Sequence, residues 1–242
     1  TPTATRFPTP TSTVAAVSQE RVVYTRAGLT GAIDVYAASP DGSSEEQWTD
    51  TPDAGEHPNG AGERSPRWFR DRPGLMYVTY NAAGDEVRLW WKSGMSTERR
   101  LLFTAGLLEY PAAARDGSIA VGGTLRGDGR GDLDLMVISG FTESHPGALI
   151  ARSGTIDRDE GMPDWSPDGR RIVYSTRRRL EGGLGRWSLE TINSAMEPHS
   201  RTIVDVPESG SDCFPRWSPN GKHIAFVRVS GSGALVCLVP GT

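Results

Sequence analysis

The residues whose types and spacing could do chemistry are acidic. Asp157, Asp159 and Glu160 fall within "TIDRDEGMPDW", and Glu56, Glu63, Glu109 and Asp212 hold comparable places ahead of other short apolar runs. Carboxylates converging on one opening focus a negative field, which would attract a cation or a basic peptide. Asp157, Asp159 and Glu160 together are the candidate calcium ligands, since hard cations take carboxylate oxygens. The competing reading of the same stretches is an ordinary solvated loop. Arg67, Asp164 and Arg216 each stand between a proline and a tryptophan and would add polar groups beside such a rim.

Other chemistries find no support. The sequence has no G-x-S-x-G nucleophile elbow, no H-E-x-x-H and no phosphate-binding G-x-x-x-x-G-K-[ST]. His57, His145, His199 and His223 are scattered without ligand spacing. No catalytic residue is assigned, no cofactor beyond calcium is indicated, and the expectation is a non-enzyme. "GDGRGDLDL", residues 127–135, carries three aspartates but lacks the carboxylate at the twelfth loop position of an EF-hand, so it reads as a glycine-rich hairpin. Arg177, Arg178 and Arg179 read as a charged hairpin tip that keeps a strand end soluble. Cys213 and Cys237 suit a secreted protein with one disulfide, yet they fall on the first and third strands of one sheet, a wide spacing for a bridge.

The elements that must position these residues form a repeat. "SPRWFRDRPGLMYVTY" begins at Ser65, "YPAAARDGSIAVGG" at Tyr110, "MPDWSPDGRRIVYST" at Met162 and "FPRWSPNGKHIAFVR" at Phe214. The prolines fall at 66, 111, 163 and 215, in steps of 45, 52 and 52 residues. A weaker copy, "VAAVSQERVVYTRA", starts at Val14. Pro-Asp-Gly or Pro-Asn-Gly sets a type I turn, with proline fixing φ and glycine taking the left-handed position, so the flanking strands are antiparallel. The second strand is apolar at consecutive positions, as in "RIVYS", which implies a sheet covered on both faces. Third strands follow in "AIDVYAAS", "EVRLWWKS", "DLDLMVIS", "RWSLETIN" and "ALVCLVP", and short fourth strands in "RRLLFT", "GALIAR" and "RTIVDV".

Four strands per unit, stacked radially, predict an all-β propeller of five blades, over residues 14–64, 65–109, 110–161, 162–213 and 214–242. Trp165 and Trp217 are then core residues packed between blades, and Asp168 with Gly169 makes a turn. Trp90 and Trp91, adjacent on one strand, point to opposite faces. The last copy stops after its third strand, so either Thr3 to Phe7 supplies the outer strand and closes the ring or that blade keeps three strands.

The unit P-x-W-S-P-[DN]-G-x-x-I-[AV]-[FY] resembles the WD-like repeat of the TolB propeller family, also seen in the propellers of prolyl-oligopeptidase-type peptidases and in bacterial extracellular sensor domains. The resemblance covers the chain from Val14 onward, most specifically in the fourth and fifth copies. It implies a propeller that binds proteins or short peptides at its channel mouth. The small α/β domain of TolB has no counterpart here, so no particular partner carries across.

Composition narrows the partners. Thirty acidic against 26 basic residues give a net charge of −4, which argues against nucleic acid. No apolar run approaches the roughly 20 residues that span a bilayer, so no direct membrane insertion is expected. The sequence starts at Thr1 without a charged-then-apolar leader, and any targeting segment is expected to have been removed. The Thr/Pro-rich opening, residues 1–13, reads as a spacer or the ring-closing strand, and its composition suggests an extracytoplasmic location. The leading expectation is a monomeric, non-catalytic recognition or sensor propeller with a protein, peptide or cell-wall ligand. The alternatives are a five-bladed enzyme of glycosidase type, using two rim carboxylates, and the accessory propeller of a larger membrane-anchored kinase or peptidase.

Overall fold

A computed structural model describes residues 21–27, 33–50, 62–69, 74–81, 83, 85–93, 98–125, 131–141, 145–195, 201–204 and 210–241. These residues build five antiparallel sheets, one per repeat. Blade 1 contains β1 (Val22–Ala27), β2 (Ile33–Ala38) and β3 (Glu46–Gln47). Blade 2 runs β4 (Glu63–Trp68), β5 (Leu75–Tyr80), β6 (Val87–Lys92) and β7 (Arg99–Ala105). Blade 3 runs β8 (Leu107–Ala113), β9 (Ile119–Thr124), β10 (Asp134–Ser139) and β11 (Ala148–Arg152). Blade 4 holds β12 (Arg158–Trp165), β13 (Arg171–Leu180), β15 (Ser188–Asn193) and β16 (Arg201–Val204), with the two-residue β14 (Gly183–Leu184) paired to the end of β13. Blade 5 is β17 (Ser211–Trp217), β18 (His223–Ser230) and β19 (Gly233–Pro240).

In blades 2 to 4 chain order equals spatial order from the inner strand outward. The repeat aligns β1 with the second strand of the other blades. Residues 14–20 of the copy expected from Val14 lie outside the described residues, as do the ring-closing strand expected at Thr3 to Phe7 and the spacer, and Val22–Ala27 of that copy form β1. Among the described residues no helix is long and apolar enough to cross a membrane.

The turns follow the sequence. Gly169 donates its N–H to the Ser166 carbonyl at 2.9 Å and Gly221 donates to the Ser218 carbonyl at 2.9 Å. Both glycines have φ of 70°, the left-handed conformation that closes each hairpin without a Cβ clash. Second strands are buried across consecutive positions, as in β5, β9 and β13, because a neighbouring blade covers each face.

The core is a series of wedges between blades. Between blades 3 and 4, Trp165 is fully buried with Ala112, Ala120, Leu135, Ile172 and Tyr174, and its indole N–H donates to the Ala112 carbonyl at 3.0 Å. Trp217 packs with Val173 and Ile224 between blades 4 and 5, with the Arg171 guanidinium 4.9 Å from its ring centre. Trp68 repeats the arrangement between blades 1 and 2, donating to the Arg21 carbonyl at 3.0 Å. Trp90 and Trp91 do split between two wedges, Trp90 toward blade 1 and Trp91 toward blade 3.

On β19, the third strand of blade 5, apolar side chains face solvent among the described residues: Val236 is 79% and Leu238 68% exposed. Cys213 and Cys237 are free thiols on strands separated by β18. Burial, reinforced by neighbouring Asp212, pushes the Cys213 thiol up.

Candidate functional site at the channel mouth

Each complete inner strand breaks its ladder at the repeat proline. The register shifts between Arg64 and Arg67 in β4, Glu109 and Ala112 in β8, Gly161 and Asp164 in β12, and Cys213 and Arg216 in β17. Proline has no N–H to give the neighbouring strand, so a bulge forms and re-aims the adjoining side chains. The residue before each proline takes the left-handed region: Ser65 at φ 52°, Tyr110 at 52°, Met162 at 55° and Phe214 at 55°. For a residue with a side chain this conformation costs about 1–2 kcal/mol, and the blade packing sustains it four times.

The four bulges bring distant blades together. The Tyr110 and Phe214 rings, from blades 3 and 5, meet edge to face with centroids 5.2 Å apart. Arg67 of blade 2 donates to Asp164 of blade 4 at 2.8 Å, and the second Asp164 oxygen accepts the Trp217 backbone N–H of blade 5 at 2.8 Å. Asp164 is 1% exposed and so ties three blades from a buried position. Phe214, by contrast, is 36% exposed, while Ser65, Tyr110 and Met162 are half-buried. A cavity of about 450 Å³ opens beside Tyr24, Arg64, Ser65 and Tyr110. The cavity thus offers aromatic surface from Tyr24 and Tyr110 together with Arg64.

The acidic residues picked from sequence are distributed differently. Glu56 lies outside the described residues. Asp157 is exposed. Asp159 is buried and receives Arg177 and Arg179, at 2.9 and 2.8 Å. Asp212 is buried under a bidentate Arg228 with both contacts at 2.7 Å. These pairs follow the register, which sets Asp159 opposite Arg177 and Asp212 opposite Arg228 on adjacent strands. Arg216 is half-buried and donates to the Pro215 carbonyl at 2.6 Å. Asp132 and Asp134, from the aspartate-rich hairpin, are buried, and Asp134 pairs with Arg152.

Three glutamates sit in less polar surroundings. Burial pushes Glu63 up to about 7, with repulsion from Asp34 adding to it; Arg99, half-exposed at 3.9 Å, pulls the other way and loses. Burial also raises Glu160 and Glu109, the latter opposed by Arg64. Tyr80, half-buried near Glu109, is pushed up to about 12 by loss of solvent and by that carboxylate. Among the described residues no group of three or more His, Cys, Asp or Glu side chains is arranged to hold a metal ion. Asp159, Asp164 and Asp212 each stand in an ion pair with arginine.

Tyr110, Met162 and Phe214 escaped the sequence reading as candidates. The signal was present, because each immediately precedes a repeat proline, but their left-handed backbone is a tertiary outcome.

No family model matches the chain. A segment of 74 residues is 34% identical to Dipeptidyl-peptidase 5 of Porphyromonas gingivalis, covering 28% of this chain and 10% of that protein. TolB from Acinetobacter baumannii superimposes with a TM-score of 0.67 at 17% identity, over 92% of this chain and 50% of TolB. An oligogalacturonate lyase solved with manganese gives a TM-score of 0.56 at 13% identity, over 91% of this chain and 59% of the lyase. A prolyl endopeptidase gives 0.52 at 14%, over 91% and 40%. The chain thus spans a tenth of the curated relative and about half of each structural neighbour. At these identities the likeness is one of architecture, and with the five sheets described above it shows that the chain is a five-bladed β-propeller with the fold of the TolB propeller.

Proposed function

We propose that this propeller is a non-catalytic recognition module that binds an extended segment of a protein or peptide at its channel mouth, outside the cytoplasm. The observation that carries the reading is the set of bulges that hold Tyr110, Met162 and Phe214 at the mouth in a backbone conformation that side chains disfavour. Phe214 remains partly open to solvent, so an apolar side chain of a ligand can add to the Tyr110–Phe214 pair. Arg64, which lines the same cavity as Tyr110, supplies a donor for a backbone carbonyl or a carboxylate. The extracytoplasmic placement rests on the Thr/Pro-rich opening, and the non-catalytic role on the missing catalytic motifs.

The test is fluorescence polarisation against a library of labelled ten-residue peptides, followed by Phe214→Ala and Tyr110→Ala. Peptides that bind the parent should bind each variant about tenfold or more weakly, the loss typical of an aromatic anchor. Unchanged affinity in both folded variants would remove the channel mouth from the binding surface.

A further inference from the structure

A second cavity, of about 600 Å³, lies on blade 4, where the end of β13 faces the starts of β12 and β15. Its chemistry differs from that of the channel mouth. Arg158, Arg177, Arg178 and Arg186 all reach it, and Leu180 and Leu184 form an apolar lip, each more than half exposed. The register sets Arg158 directly opposite Arg178 on adjacent strands, a like-charge pair that sheets normally avoid.

The pairings within the groove leave cationic character over. Glu190 accepts from Arg158 at 2.9 Å and from the Tyr174 hydroxyl at 3.0 Å. Arg177 is bound to Asp159 and stacks 4.4 Å from the Trp187 ring centre. Arg178 is exposed and forms no ion pair among the described residues. At the floor, Thr176 is 2% exposed, and its hydroxyl has no hydrogen-bond partner although Ser188 stands opposite it and donates to its backbone carbonyl. A buried hydroxyl left unpaired costs free energy, so its place on a cavity wall points to a ligand that completes it.

We infer that this groove is a binding site for an organic anion, a carboxylate or phosphate group joined to an apolar moiety. Arg178 and Thr176 meet the anionic group, Arg158 and Arg177 add a positive field that Glu190 and Asp159 reduce without cancelling, and Leu180 with Leu184 covers the apolar part. The volume suits a ligand of small-molecule size or one or two residues of a peptide.

Isothermal titration calorimetry of the whole chain tests this with three probes: inorganic phosphate, the blocked dipeptide acetyl-Leu-Glu-amide, and its Leu-Gln counterpart. The glutamate peptide should bind saturably and about tenfold more tightly than the glutamine peptide, the difference expected of a charge-assisted contact. Arg178→Gln should abolish that preference, and the isosteric Thr176→Val should weaken binding severalfold with folding checked by circular dichroism. Phosphate binding stronger than that of the peptide would assign the anion as phosphate. Equal binding of the two peptides, binding indifferent to Arg178→Gln, or no saturable binding of either phosphate or the glutamate peptide overturns the inference. Phe214→Ala should leave the groove unaffected, so failure here is separable from failure at the channel mouth.

Discussion

Replacing Asp164 with Asn should unfasten the axis. Asp164 joins blades 2, 4 and 5 through one carboxylate, with Arg67 on one oxygen and the Trp217 N–H on the other. Removing one partner of a buried ion pair costs about 3–5 kcal/mol. The Arg67 side chain is 23% exposed and can recover part of its hydration, which brings the loss on that side to about 2 kcal/mol. The bond to Trp217 survives as a neutral one and weakens by about 1 kcal/mol. The sum is about 3 kcal/mol, and at ~2–4 °C per kcal/mol for a domain of this size the melting temperature should fall by about 6–12 °C. Urea unfolding should show a lower midpoint with an unchanged slope. A double-mutant cycle with Arg67→Met should return a coupling above about 1 kcal/mol, since the two side chains touch. A loss below about 1 kcal/mol, or strict additivity in the cycle, would refute the three-blade tie.

Glu63→Gln should change the pH dependence of stability. The folded-state value, about 7, lies above the unfolded value near 4.5, so the folded protein holds the proton where the unfolded chain has released it, and stability falls as pH rises from about 4.5 through about 7. The variant lacks this loss. Its advantage over the parent should grow by up to about 3 kcal/mol between pH 4.5 and pH 8, and parallel melting curves across that range would refute the burial argument. Gly122→Ala should also destabilise, because an added Cβ would stand 2.8 Å from the Gly161 Cα where blades 3 and 4 meet. That atom and the Glu160 carbonyl oxygen, 3.1 Å away, both belong to the backbone, so the blades must part, at about 1–3 kcal/mol by chemical denaturation; no measurable change would mean the blades slide freely.

Much of the fold was legible because its signals are local. A Pro-Asp-Gly turn needs only four residues to be recognised, and the hydrogen bonds at Ser166–Gly169 and Ser218–Gly221 form where those residues stand. The burial of Trp165 follows from its position in a unit that recurs at blade length. The site was less legible. Asp159, Asp164 and Asp212 are acidic residues near an inner strand in any reading of the sequence, but whether each is a free rim charge depends on which arginine arrives beside it. Asp164 takes its partner from 97 residues away.

What the sequence by itself determined is the repeat, the antiparallel strands within it and, through doubly covered second strands, the propeller. These depend on turn chemistry and hydrophobic patterning, which act over a few residues. Only the tertiary structure decided that the prolines of the inner strands create left-handed bulges at Ser65, Tyr110, Met162 and Phe214, and that Arg158 and Arg178 share one groove with a buried, unpaired Thr176 hydroxyl. Those outcomes come from blades packing against one another and from strand register, and both are set by contacts between residues that the chain itself keeps far apart.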